Sequence, residues 1–197
     1  MSNTKAILLV GVGGQGTILA SKILSEGLVA AGYDVKMSEI HGMSQRGGNV
    51  STQIRYGDKV YSPIVGKGEA DVIVSFEVME ALRWVEFLKP GGGYIINDNE
   101  IPSVPILMGA AKYPEGILAD LSAKARTRII DANAIAEKLG NKQTQNIVLL
   151  GAAIRALSEA GDTALAGIDW DGIIAKNVKE KFVDVNKKAL QEGMAAN

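Results

Sequence analysis

The sequence predicts an α/β fold: a mostly parallel, Rossmann-like sheet flanked by helices, with a β-hairpin insertion and helices at the C-terminal end. Three observations predict it. Short apolar runs at Ala6–Val10 and Asp71–Phe76 suit strands buried on both faces. Segments with apolar residues at helical spacing alternate with them. The first run also leads into a glycine-rich turn, Gly11-Val12-Gly13-Gly14-Gln15-Gly16, directly before a helical pattern.

Taken in order, Ala6–Val10 is the first strand. The helix predicted over Thr17–Ala31 places Ile18, Leu19, Ile23, Leu24 and Leu28 on one face, and Gly32 stands where a C-terminal cap belongs. Asp34–Ser38 is a second strand, and a polar, glycine-bearing loop follows over Glu39–Gly48. Val50–Tyr56 and Lys59–Ser62 predict a hairpin turning at Gly57-Asp58. Asp71–Phe76 is the next strand, followed by Val78, Leu82 and Val85 at helical spacing. Lys89-Pro90-Gly91-Gly92 resembles a methyltransferase segment. The simpler reading is that Pro90–Gly93 ends that helix before Tyr94–Asn97 resumes the sheet.

Glu100–Glu115, proline-rich, is an irregular excursion, and Arg128–Asp131 is a final strand. From Ala132 onward the pattern is helical, with helices over Asn146–Ser158, Asp169–Val178 and Phe182–Glu192. Gly151 lets the first of these approach a neighbour closely. At 197 residues the whole chain, 1–197, is expected to form one domain.

Composition narrows the chemistry. Lysine and arginine number 21 against 22 acidic residues, a net charge of −1, so nothing in the balance favours nucleic acid or a membrane surface. The absence of cysteine excludes disulfides, thiolate metal sites, a cysteine nucleophile and a self-ligated iron–sulfur cluster. One histidine excludes a histidine-rich metal centre, and no metal site is expected. The apolar run Ala6–Val10 is too short for a signal segment or a membrane span, so the cytoplasm is the expected compartment.

Gly11, Gly13 and Gly16 match G-x-G-x-x-G between a strand and a helix. Glycine permits a tight turn and lets backbone N–H groups approach a phosphate, to which the helix N-terminus adds about half a positive charge. The competing reading is a close strand–helix crossing that binds nothing. A nicotinamide enzyme places an acid about 20 residues further on to hold a ribose hydroxyl, and Glu39 lies in that region.

The loop after Glu39 is unlike an ordinary ribose loop. Ser44, Gln45 and Arg46 offer hydroxyl, amide and guanidinium donors, and Gly47 and Gly48 keep its backbone accessible. It suits a phosphate or carboxylate clamp, or a surface docked onto another subunit. His41 has no recognisable nucleophile or acid partner and reads as a loop or interface residue. Glu77 and Glu80, at i, i+3 spacing, read as a solvated helix face, and Trp84 and Trp170 as packing residues. The lysines between Lys176 and Lys188 read as a solvated helical surface. No catalytic residue emerges.

Together, Gly11–Gly16, Glu39–Gly48 and Tyr61-Ser62-Pro63 resemble the gamma-type domain of 2-oxoacid:ferredoxin oxidoreductases, in the branch acting on indolepyruvate. Glu69-Ala70-Asp71, Glu77–Arg83 and Asn186–Gly193 extend the resemblance over nearly the whole chain. It implies a small beta subunit in a complex that oxidatively decarboxylates arylpyruvates to aryl-acyl-CoA and reduces ferredoxin. The large alpha subunit is then expected to carry thiamine diphosphate and [4Fe–4S] clusters. By the same resemblance, Gly11, Gly13, Gly14, Gln15 and Gly16, with Ser44, Gln45, Arg46, Gly47 and Gly48, are expected to contact coenzyme A or face the partner's active site. A standalone NAD-dependent dehydrogenase and a non-catalytic assembly subunit are the alternatives.

Overall fold

The computed structural model describes residues 4–41 and 48–196, with only the backbone of His41. In chain order the elements are β1 (Lys5–Val12), α1 (Thr17–Ala30), β2 (Asp34–His41), β3 (Asn49–Gly57), β4 (Ala70–Ser75), α2 (Val78–Arg83), β5 (Leu88–Asn97), α3 (Val104–Leu107), α4 (Ile117–Lys124) and β6 (Arg126–Ile130). Then come α5 (Ala132–Lys138), α6 (Gln145–Glu159), α7 (Trp170–Asn177) and α8 (Val183–Ala195). The strands form one sheet in the order β2-β3-β1-β4-β5-β6. β4 lies parallel to β1, β5 to β4 and β6 to β5; β3 alone runs antiparallel, to β1 on one side and β2 on the other.

Alternation along β1 divides the core. Ile7 and Leu9 pack into one layer with α1, α6 and α7; Ala6, Leu8 and Val10 enter the opposite layer with α2 and α4. Both sets are buried, which is why this strand reads as an unbroken apolar run rather than an alternating one. α1 presents Ala20, Ile23, Leu24 and Leu28 to the first layer, while Ile18 and Val29 face outward. It stops where the sequence indicates: Gly32 adopts φ 90°, and the amides of Gly32 and Tyr33 bond back to Val29 and Leu28 at 2.9 and 3.2 Å.

The expected close approach at Gly151 is a helix–helix contact. A Cβ on Gly151 would stand 2.2 Å from the Leu190 carbonyl oxygen, and one on Gly193 1.9 Å from that of Val148. α6 and α8 therefore pack backbone to backbone, with no room for any side chain at either position.

Two sequence expectations fail. Lys59–Ser62 forms no strand, so there is no hairpin at Gly57-Asp58. The antiparallel partners of β3 are β1 and β2, in the interior of the sheet. Nor does Pro90–Gly93 separate helix from strand, because β5 already begins at Leu88. Pairing with β4 jumps from Ala70–Leu88 to Val72–Gly93, so Pro90, Gly91 and Gly92 bulge out of the ladder. Proline has no amide hydrogen to give a ladder, and a bulge accommodates that within a strand. The Glu100–Glu115 excursion is largely irregular as expected, interrupted by the single turn of α3.

Candidate functional site

β1, β4 and β5 all end at one edge of the sheet, and the glycine turn leaves β1 there. In open α/β sheets this carboxyl end is where ligands bind. Gly14 and Gly16 have φ of 101° and 78°, backbone conformations that side chains resist, and Gly16 is the residue on which α1 opens. Gln15 folds back beneath the turn. Its Oε1 accepts from the Val12 amide at 2.8 Å, and its Nε2 donates to the Phe76 carbonyl at 2.7 Å. Gly11 makes room for this, since a Cβ there would meet Gln15 Oε1 at 2.7 Å. Gln15 is buried, and its two hydrogen bonds clasp the turn from beneath.

Asn146, in the first turn of α6, donates from Nδ2 to the Gly16 carbonyl at 3.0 Å. That bond draws the N-termini of α1 and α6 together at a cavity of about 650 Å³ lined by Gly14, Gly16, Lys142, Gln143, Asn146 and Lys179, among others. No side chain caps either helix, and neither has an acid in its first turn. No carboxylate lines the cavity among the described residues. Two partial positive charges thus converge with two lysines, one of them, Lys142, paired with Glu137 at 2.7 Å. The electrostatics there favour negative charge over positive. Asn146 and Lys142 have no site role in the sequence reading, which takes Lys179 as part of a solvated helical surface; the paired amides Gln145-Asn146, opening an otherwise apolar helix, are the available signal.

The second predicted segment is partly in view. Ser44, Gln45, Arg46 and Gly47 lie outside the described residues, as does the side chain of His41. Gly48 is described, and its carbonyl accepts from the Gly13 amide at 2.8 Å. His41 pairs with Val50, which also pairs with Gly11. Both ends of the loop therefore stand beside the glycine turn. Glu39 does not serve as a ribose ligand's strand would require, because β3 separates β2 from β1, and its carboxylate accepts from Ser21 Oγ at 3.5 Å.

Glu77 and Glu80 correct the sequence reading most sharply. Far from a solvated face, they are 0% and 2% exposed. Glu77 caps α2 and accepts from the amides of Glu80 at 2.9 Å and Ile101 at 3.1 Å, and from the Tyr113 hydroxyl. One buried carboxylate thereby pins the excursion after β5 to the carboxyl end of the sheet. Burial raises the Tyr113 hydroxyl well above its ordinary range, and the bond to Glu77 adds to it. Burial also raises the Glu80 carboxyl, against the Arg83 guanidinium that donates to its Oε1 at 2.9 Å. Phe76 carbonyl joins this network to the turn, accepting from Asn97 Nδ2 at 3.2 Å as well as from Gln15.

Fold and site together define a doubly wound α/β protein with a positively polarised carboxyl end. The chain belongs to the pyruvate ferredoxin/flavodoxin oxidoreductase family, whose model matches residues 6–196. Among curated relatives, it is 41% identical over 194 residues to indolepyruvate oxidoreductase subunit IorB of Pyrococcus horikoshii, covering 96% of this chain and 94% of that one. The fold is shared with pyruvate oxidoreductase subunit PORC of Thermotoga maritima, with a TM-score of 0.73 at 23% identity over 98% and 96% of the two chains. It also matches 2-oxoglutarate:ferredoxin oxidoreductase of Magnetococcus marinus, solved with 2-oxoglutarate, coenzyme A and succinyl-CoA bound. There the TM-score is 0.67 at 17% identity, over 99% of this chain and 31% of that one. No helix among the described residues is long and apolar enough to cross a membrane, and no group of metal-ligating side chains occurs among them.

Proposed function

We propose that this chain is the small subunit of a ferredoxin oxidoreductase that oxidatively decarboxylates indolepyruvate or a related arylpyruvate to its acyl-CoA. The observation that carries this is the near-full-length identity to the Pyrococcus subunit. The chain alone is expected to be inert. It has no cysteine to hold an iron–sulfur cluster, so its residues do not fit that group. Clusters and thiamine diphosphate belong, on this reading, to a large partner subunit, and electrons leave to ferredoxin from there.

What this chain supplies is one wall of a shared site. The glycine turn, the uncapped N-termini of α1 and α6, and the Ser44–Gly48 loop receive the phosphate-bearing part of coenzyme A. Two features support that role: among the described residues no carboxylate caps either helix N-terminus, and none lines the cavity between them. Within that wall, Gln15 and Asn146 hold the turn in shape while backbone amides and cations meet the ligand.

The test is reconstitution with the large subunit. Arg46→Ala should raise the apparent KM for coenzyme A by about tenfold, as loss of a charge-assisted contact to phosphate does, with assembly and kcat preserved. An unchanged KM in a normally assembled complex removes Arg46 from the site. If coenzyme A also fails to protect the turn from hydrogen exchange in that complex, the chain's role is assembly and not ligand binding.

A further inference from the structure

The run from Ile101 to Ala111, in the excursion after β5, carries no charged residue, and most of it faces solvent. Within it Val104, Leu107 and Met108, the residue that closes α3, stand at i, i+3 and i+4. That spacing gathers side chains on one face of a helical turn. Elsewhere the fold buries the same pattern: Ala20, Ile23 and Leu24 of α1 are each 0% exposed. On α3 the face points outward, with the three side chains 66%, 72% and 79% exposed. Apolar side chains scattered singly over a surface are ordinary, whereas a contiguous apolar face marks a contact.

This crest is shaped before anything covers it. The amides of Leu107 and Met108 bond to the Ser103 and Val104 carbonyls, each at 3.0 Å, and those of Gly109 and Ala110 to Ile106 and Pro105 at 3.0 and 2.9 Å. The buried Glu77 carboxylate grips the run at both ends, accepting from the Ile101 amide at 3.1 Å and from the Tyr113 hydroxyl just beyond Ala111. Tyr113 in turn accepts from the Met79 amide at 2.9 Å. Glu77 directly follows Phe76, whose carbonyl accepts from Gln15, so the crest and the glycine turn are anchored on two adjacent residues of one backbone. A face ordered in advance loses little further entropy when it binds.

Position and charge indicate the occupant. A partner that completes a site at the glycine turn approaches the carboxyl edge of the sheet, and there it meets the crest. An uncharged apolar face suits the core of a lasting interface, from which charged residues are depleted. A membrane surface would instead call for cations around the apolar face, and the flanks carry Glu100 and Glu115 as well as Lys112. We propose that Val104, Leu107 and Met108 dock the large partner subunit, which covers them with an apolar, uncharged face of its own. This docking rests on the small-subunit reading above and adds to it the place of contact.

The intact chain should be combined with the large subunit and the dissociation constant measured by analytical ultracentrifugation. Leu107→Asp should weaken the complex at least about tenfold, the scale of a well-packed contact residue, because it strands a charge in an apolar interface. Val29→Asp, the same kind of change on an outward apolar side chain at the far end of α1, should leave the affinity as in the parent chain. Both positions are exposed, so neither variant should lower the unfolding midpoint. In the parent chain, hydrogen peroxide should convert Met108 to its sulfoxide readily when the chain is free and at least about tenfold more slowly in the complex. If the parent complex forms but Leu107→Asp binds as tightly, or Met108 oxidises there at its free rate, the docking face lies elsewhere and the subunit reading stands. If the parent chain and the large subunit do not associate at all, the subunit reading falls and the docking with it. If the chain pairs with itself and shields Met108 without the large subunit, the crest belongs to a second copy and the assignment is overturned.

Discussion

The glycine turn and the amino end of the sheet are fastened by different chemistry. At the carboxyl end the glycine turn is held by uncharged amides: Gln15 beneath it, Asn146 beside it, and Asn97 on the same Phe76 carbonyl. At the amino end the fastenings are ionic. Asp162 accepts from Lys5 at 2.9 Å, from Tyr33 at 3.0 Å and from Tyr56, and Asp71 pairs with Lys89 while accepting the Ala6 amide at 2.7 Å. The difference is instructive. Carboxylates beside the turn would neutralise the helix N-termini, whereas amides lock the backbone and leave its positive potential facing outward. Where nothing need be left open, opposite charges close on each other.

The contrast can be broken at its strongest point first. Gly16→Val combines an unfavourable left-handed backbone with a side chain directed at Asn146 Nδ2, which would lie 2.6 Å from the new Cβ. It should cost about 3 kcal/mol or more in chemical denaturation, since such strain alone is worth about 1–3 kcal/mol. Gln15→Leu comes next. It keeps the bulk but strands the Val12 amide, while Asn97 still serves the Phe76 carbonyl. A loss of about 2 kcal/mol is expected, with slower binding-independent protection of the turn lost in hydrogen exchange. An effect below experimental error would mean the amide clasp is not what shapes the turn.

The smallest effect concerns acid. Burial raises the Asp162 carboxyl, but the bonds from Lys5, Tyr56 and Tyr33 outweigh it and hold the group below the ordinary aspartate value of about 3.9. A depressed folded value contributes stability that is fully present above that pH and is lost as pH falls through the folded value. Asp162→Asn should therefore flatten the stability curve below about pH 4 relative to the parent chain. Gln15→Leu should shift the curve without changing its slope, because an amide does not titrate. Equal slopes for Asp162→Asn and its parent would refute the ionic account of the amino end.

Much of this was legible in the sequence, and for local reasons. The strands β1 and β4, the glycine turn, the cap at Gly32 and the intimate contact at Gly151 follow from short-range pattern and steric need. What escaped depends on partners far along the chain. The position of β3 is set by pairing with β1 and β2, which no local periodicity encodes. Glu77 and Glu80 carry charges that normally mark a solvated face, yet Ile101 and Tyr113 come from a later excursion to bury Glu77. Pro90–Gly92 has turn chemistry, and it does turn, but as a bulge within a strand whose ladder resumes at Gly93. The site was legible as a turn, while Asn146, Lys142 and Lys179 arrive from segments more than a hundred residues away.

The reversed strand has one more consequence. Because β3 starts at the edge where β1 finishes, the chain leaving β2 must re-enter the sheet beside the glycine turn, at Gly48 and Asn49. Ladder pairing thus fixes both points at which the chain leaves β2 and enters β3, the second against the end of β1 and the first against the second. A slip in the pairing of β3 would therefore carry both points away from the glycine turn together.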